Sequence, residues 1–260
     1  MFKRFLIAVF LSILAVFLLG LAVLTSNFEV PILMYHHVNP EARDCLTVSP
    51  DTFERQMRFL KERHYLVLSV EALAGLIKQG KPIPPKTVVI TFDDGNKDNY
   101  TYAFPILKKY GLCANLFLII DEISRPQGDK LTWEEVLAMR DSGLIYFGSH
   151  ALGPEPLVNI KSAEEAKRQI FESKKALEAR LNRRVDVFSY PEGRFTPQIR
   201  QWVKEAGYEV AVTTNPGKKF PNKDLYALKR LRISSNSGNL FIFWVETSGY
   251  YNFMREHRKK

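Results

Sequence analysis

The stretch Thr87-Val88-Val89-Ile90-Thr91-Phe92 holds only β-branched and apolar side chains, then stops on two adjacent carboxylates, Asp93 and Asp94, followed by Gly95. A strand with no apolar/polar alternation is buried on both faces, and such strands belong to parallel sheets covered by helices. That single segment restricts the chain to an α/β architecture and places a pair of acids at the end of a buried strand.

The surrounding sequence alternates in the same sense. Apolar strand-like runs are expected at Val30–His36, Tyr65–Leu68, Ala114–Ile120, Leu144–Gly148, Val185–Tyr190, Tyr208–Thr213 and Leu228–Ile233. Helices are expected between them. Ser49 can cap a helix with Pro50 at its first position and Phe53, Met57 and Leu60 on one face. Ser69 opens another carrying Leu73, Leu76 and Ile77, and a further helix is expected from Asn99 to Tyr110. Thr132-x-x-Glu135 and Ser162-x-x-Glu165 have capping-box spacing, the second ahead of a helix reaching Leu181. Strand–helix alternation of this kind favours a parallel sheet with helical crossovers. Lys81-Pro82-Ile83-Pro84-Pro85 reads as a stiff loop.

Residues 1–25 differ from the rest. Lys3 and Arg4 precede an apolar run from Phe5 to Leu24, and a helix of about 20 apolar residues crosses a bilayer core. The run exceeds the roughly 7–15 apolar residues of a signal peptide, and Ala22–Asn27 holds no Ala-x-Ala site. It is read as one retained transmembrane helix; if it were cleaved, the domain would be secreted. The basic flank holds the N-terminus in the cytoplasm, so the remainder lies outside. The expected organisation is an anchor over 1–25, one barrel domain over 26–236, and a C-terminal helix with a basic tail over 237–260. The aromatic stretch after Asn239 either packs on the barrel or returns to the membrane surface.

The formal net charge of the 260 residues is +9. Its lysines and arginines are spread along the chain rather than gathered in a stripe, which argues against nucleic acid and suits anionic lipid or cell-wall polymer. The two cysteines, Cys45 and Cys113, could pair in an oxidising compartment.

Polar residues close several of the expected strands: His36 and His37 the first, Asp93 and Asp94 the Thr87 strand, His150 the Leu144 strand, and Tyr190-Pro191-Glu192-Gly193 the Val185 strand. In α/β barrels the C-terminal strand edge holds the active site. Carboxylates and imidazoles together are ligands for a divalent metal such as zinc.

These residues resemble the polysaccharide deacetylases of the NodB-like type, carbohydrate esterase family four. Thr91-Phe92-Asp93-Asp94-Gly95 matches the first family motif in full. Leu131-Thr132-Trp133, Ser142-Gly143 and Gly148-Ser149-His150 match the approach to the second, Phe188–Arg194 resembles the third, and Met34-Tyr35-His36 resembles a feature of the exported, membrane-anchored subgroup. The resemblance spans about Pro31 to Ile233 and implies a distorted (β/α)7 barrel. It implies metal-assisted hydrolysis of N-acetyl groups on an extracellular hexosamine-containing polysaccharide, a carbohydrate reaction of the cell envelope. Asp93 is then the general base and Asp94 and His150 are metal ligands. A backbone N–H near Glu192 stabilises the oxyanion, and Tyr190 and Pro191 contact the glycan. The implied cofactor is a divalent metal, Zn2+ or else Co2+, Ni2+ or Mn2+.

The chain also departs from the family pattern. In His150-Ala151-Leu152-Gly153-Pro154-Glu155-Pro156-Leu157, Leu157 keeps the register and Pro154 stands where the third metal ligand belongs. The usual third-motif arginine is Ser189, and Leu228-Lys229-Arg230 lacks the fifth motif's histidine. Glu155 or His36 could complete the metal site, His36 could serve as acid, or water could fill the coordination. Two readings follow: a hydrolase of non-peptide C–N bonds, or a domain that binds glycan without turnover.

Overall fold

The computed structural model describes residue 7 and residues 9–16, 28–41, 44–123, 128–214 and 222–251. Residues 9–16 are helical. The expected span Phe5–Leu24 falls mostly outside the described residues, among which no helix is long and apolar enough to cross a membrane.

The domain is a parallel barrel. Its strands are β1 (Ile32–Tyr35), β4 (Leu66–Leu68), β5 (Thr87–Phe92), β6 (Ala114–Leu118), β7 (Ile145–Ser149), β8 (Val187–Ser189), β9 (Val210–Thr213), β10 (Leu228–Lys229) and β11 (Leu231–Arg232), with β2 (His37–Val38) and β3 (Thr47–Val48) forming a separate parallel pair. The order runs β10-β9-β8-β7-β6-β5-β1-β11, and β4 pairs with the first half of β5. β10 pairs with β9 through Leu228 and Lys229, while β11 pairs with β1 through Leu231 and Arg232. Only Arg230 separates the two halves, so one short segment bridges the sheet's ends and closes the barrel at that residue. Sequence reading takes Leu228–Ile233 as one strand; the structure divides it between two partners.

Burial on both faces of β5 has a direct cause. Val88, Ile90 and Phe92 join the layer under the helices, whereas Val89 belongs to a second cluster with Ile32, Phe117, Val187, Val210, Val212 and Leu228. That second cluster fills the barrel, and Thr91, Asp93 and Ser189 continue its face toward the strands' C-terminal ends. Val70, Leu73 and Ala74 also belong to it. They come from α2 (Val70–Lys78), which is capped by Ser69 and tied by Val70 N–H to the buried Asn115 Oδ1 at 2.9 Å.

The outer helices are α1 (Pro50–Glu62), α3 (Phe104–Tyr110), α4 (Trp133–Asp141), α5 (Ala163–Leu181), α6 (Pro197–Glu205) and α7 (Leu240–Thr247). Thr132 and Glu135 form a complete capping box at α4. At α5 only half of the expected box exists. Ser162 Oγ accepts from the Glu165 N–H, but the Glu165 carboxylate is taken by Arg168 and Gln169. Cys45 and Cys113 are both free thiols, and Cys113 Sγ donates to the Val67 carbonyl.

Candidate active site

β5 ends by turning its two acids in different directions. Asp93 continues the inward face of the strand and is 1% exposed. Asp94 adopts φ 72°, a left-handed conformation that aspartate tolerates better than most residues. Gly95 follows at φ +64°, where an added Cβ would lie 2.9 Å from both Leu118 and Ile123. Lys130 fastens the turn, its ammonium donating to the Asp94 carbonyl and to Asn96 Oδ1.

Asp93 is held by Arg230. Nη1 donates to Oδ1 at 2.7 Å and Nη2 to Oδ2 at 2.6 Å, a fork that only a guanidinium provides. The remaining donors are also engaged: Nη1 with Thr91 Oγ1, Nη2 with Ser189 Oγ and Nε with the Thr213 carbonyl. The Phe117 ring lies 5.4 Å below the guanidinium. Burial alone would push the Asp93 carboxyl up, but Arg230, with the His150 and His36 rings, overrides it and holds the group at about 2. Sequence reasoning missed Arg230. The available signal was an arginine interrupting an apolar strand beside a third motif whose own arginine is replaced by Ser189.

Asp94 faces His150, with Oδ1 and Nε2 3.5 Å apart. The other ring nitrogen, Nδ1, is 2.8 Å from the Ser189 carbonyl. A carbonyl can only accept, so Nδ1 donates to it and Nε2 is the ring nitrogen turned toward Asp94. Two ligands at about 2.0–2.2 Å from one tetrahedral ion sit roughly 3.3–3.5 Å apart, so this pair fits a divalent cation. Among the described residues, no third His, Cys, Asp or Glu joins them as a metal-binding group. Pro154 and Glu155 lie on an exposed loop, where Glu155 Oε1 accepts from Asn159 at 2.9 Å.

His36 lines a groove of about 730 Å³ together with Met34, Glu192, Thr214, Arg230 and Glu246. Asn96 and Asn99 both donate to its backbone carbonyl. Its Nδ1 is buried and has no hydrogen-bond partner. Burial lowers its pKa against the raising influence of Asp93 and Asp94. The neighbouring His37 turns away to Asp98, 2.8 Å from Nδ1.

In the third-motif region, Glu192 (φ 55°) contributes to the groove wall, with its carboxylate paired to Arg194 and its carbonyl accepting from Thr214. Tyr190 is fully buried, stacked 4.4 Å from Phe195, and its hydroxyl donates to the Tyr226 carbonyl. Pro191 is buried as well. The structure therefore brings together His36, Asp93, Asp94, His150 and Arg230. It leaves Glu155 outside and encloses the Tyr190 side chain in the core. Of the six non-glycine residues with positive φ among those described, Asp94, Ala151 and Glu192 lie on the loops that carry these side chains. Backbone strain concentrates at sites whose geometry is over-determined.

Residues 80–211 match the family model described as "Polysaccharide deacetylase". YxkH of Bacillus subtilis (strain 168) is 33% identical over 220 residues, covering 84% of this chain and 77% of its own length. The chain belongs to the polysaccharide deacetylase family. It is thereby a hydrolase of non-peptide C–N bonds. The poly-beta-1,6-N-acetyl-D-glucosamine N-deacetylase of Staphylococcus aureus (strain MSSA476) is 27% identical over 201 residues, covering 74% of this chain and 69% of its own length. Among solved structures, the Streptococcus pyogenes deacetylase PplD in complex with acetate aligns with a TM-score of 0.76 and 30% identity, covering 85% of this chain and 98% of that one. The barrel and its strand order accord with this membership.

Proposed function

We propose that this deacetylase removes acetyl groups from an N-acetylated hexosamine polymer outside the cytoplasm, held to a bilayer by residues 5–24. The separate partnering of the two adjacent acids carries the reading. Asp93 is gripped by a guanidinium and Asp94 faces the Nε2 of an imidazole, so base and ligand roles are divided between them. The S. aureus relative, named for its action on poly-beta-1,6-N-acetyl-D-glucosamine, supports a polymer of N-acetylglucosamine as substrate. In this reading the catalytic unit is the barrel of residues 26–236 with α7 packed on it, since Ile242 and Glu246 line the same groove.

Asp94 and His150 would hold a divalent metal, zinc by the mixture of ligands. Bound there, the metal would supply Lewis acidity toward an acetamide carbonyl and an attacking water. The chain's own residues account for the rest. Asp93, ionised and fixed by Arg230, keeps a lone pair on each oxygen and accepts a proton from the attacking water. The Glu192 backbone N–H, at a strained turn on the groove wall, is the proposed donor to the developing oxyanion. Tyr190 and Pro191 set the position of that turn from within the core. His36, whose Nδ1 lacks a partner in the groove wall, is the proposed proton carrier to the departing amine.

The second reading, glycan binding without turnover, is favoured by Pro154 at the third ligand position and by the exposed placement of Glu155. One experiment separates the two. Full chain is assayed for bound zinc and for acetate release from an N-acetylglucosamine oligomer, with Asp93→Asn as control. Acetate release at least tenfold above the control supports catalysis. Oligomer binding with no zinc taken up at micromolar concentration, and no acetate above the control, establishes the binding reading.

A further inference from the structure

The C-terminal helix α7 carries an apolar face that the barrel does not cover. Phe241 is 68% exposed, Trp244 49%, Ile242 41% and Leu240 36%. Phe241 and Trp244 stand one turn apart with ring centroids at 5.7 Å, so the face is a contiguous patch. The opposite face is fixed: Phe243, Glu246 and Thr247 are buried, and Phe243 packs edge-on against Phe59 of α1. Rimmed apolar patches of this kind mark interaction sites.

Two observations identify what covers it. The first is where the N-terminal apolar run meets the domain. Glu29 N–H donates to the Gly249 carbonyl at 2.9 Å, and Phe28 packs edge-on against Tyr250 at 5.9 Å. Gly249 has φ +84°, and a Cβ there would run into the Phe28 ring, so the junction is built around glycine. The chain therefore enters the domain at Phe28 and Glu29 beside the end of α7, one helix of about 12 Å from Phe241. The described part of that run, 9–16, is helical with Phe10, Leu11, Ile13 and Val16 exposed, and a helix apolar on every side requires an apolar medium. The second observation is composition. Phe241 and Trp244 are followed by Tyr250, Tyr251, Arg255, Arg258, Lys259 and Lys260. Aromatic and basic residues together are the side chains that settle at a bilayer interface.

We propose that this face of α7 is a second membrane contact, with Leu240, Phe241 and Trp244 seated in the interface of the bilayer that holds residues 5–24. The proposal rests on the anchor reading above. It also has a catalytic consequence, because α7 lends Ile242 and Glu246 to the wall of the active-site groove. Docking two points of the domain fixes the height and tilt of that groove, which then takes polymer lying against the membrane surface.

The test uses full chain in vesicles of phosphatidylcholine with one-fifth phosphatidylglycerol, and in matching vesicles with brominated acyl chains. Trp133 and Trp202 pack against the barrel core, so quenching by bromine reports mainly on Trp244. Bromolipid is expected to quench wild-type emission, and Trp244→Phe to reduce the quenched fraction at least twofold while both chains float with the vesicles. Equal quenching in the two chains, with both floating, overturns the docking and leaves the anchor standing. Trp244 emission that is shielded from bromine and shifts with protein concentration assigns the face to a second copy and likewise overturns it. Chains that stay at the bottom of the gradient overturn anchor and docking together.

Discussion

Arg230 donates two hydrogen bonds to Asp93, at 2.7 and 2.6 Å, in a barrel interior where each residue is 1% exposed. The two residues come from neighbouring regions of the closed sheet but lie far apart in sequence. The arginine missing from the third motif, where Ser189 stands, is supplied from the link between β10 and β11. Ser189 contributes instead a hydroxyl that accepts from Arg230.

Replacing Arg230 should therefore damage both chemistry and stability. Arg230→Lys keeps the charge but loses the fork, and acetate release should fall by about 10²-fold or more. Arg230→Met leaves a buried carboxylate unpaired, at a cost of roughly 3–5 kcal/mol. The sign with pH is fixed by Asp93, which is held at about 2 in the folded chain. The pair stabilises above the unfolded carboxyl's titration range and loses that contribution as pH falls through the folded value. Without Arg230, burial dominates and raises Asp93, so the Met variant should lose less stability than wild type on acidification from pH 7 to pH 3. Parallel melts at the two pH values would refute this if both chains changed alike.

Pro154→His restores an imidazole where the family pattern has its third ligand. Zinc affinity should rise at least tenfold, measured by calorimetric titration of both chains. An unchanged affinity means that this loop does not reach Asp94 and His150.

Glu246 is 8% exposed, and burial pushes its carboxyl up to about 7 despite a hydrogen bond from Ser237. A folded acid with a raised pKa holds its proton after the unfolded chain has released it, so stability falls as pH climbs from about 4.5 through 7. The loss is on the order of 3 kcal/mol when complete. Glu246→Gln should flatten this dependence, and melting temperatures between pH 5 and pH 8 would show it. A wild-type profile as flat as the variant's would remove the explanation.

Gly193 has φ +68°, and a Cβ there would strike Thr214. Gly193→Ala should cost about 1–3 kcal/mol and displace the Glu192 turn, lowering acetate release more than substrate binding. Steady-state kinetics would check the split between kcat and KM.

Much of this is legible in the sequence alone. β5 announced itself because a strand buried on both faces cannot carry polar alternation, and its closing acids fell where a barrel keeps its chemistry. The caps at Ser49, Ser69 and Thr132 were readable because each is a local interaction over three residues. What stayed hidden depends on distant partners. α6 was missed because its inward side is little more than Ile199 and Val203, although Thr196-Pro197 carried a start signal. Glu165 had the spacing for a reciprocal cap, but Arg168 outcompeted the backbone for its carboxylate. Tyr190 was expected at the glycan and lies in the core, because Tyr226 supplies an acceptor for its hydroxyl there. Arg230 was least visible: a buried arginine looks like a surface one until the carboxylate it neutralises is known.

The closure of the barrel at Arg230 also sets an order of assembly. β1 pairs with β5 on one edge and, through Leu33 and Leu231, with β11 on the other, so its second edge stays open until the last strand docks. Until residue 230 has emerged and docked between β9 and β1, Asp93 has no counter-charge and cannot be comfortably enclosed. A chain in which residue 230 has not docked thus carries every other site residue without an assembled centre.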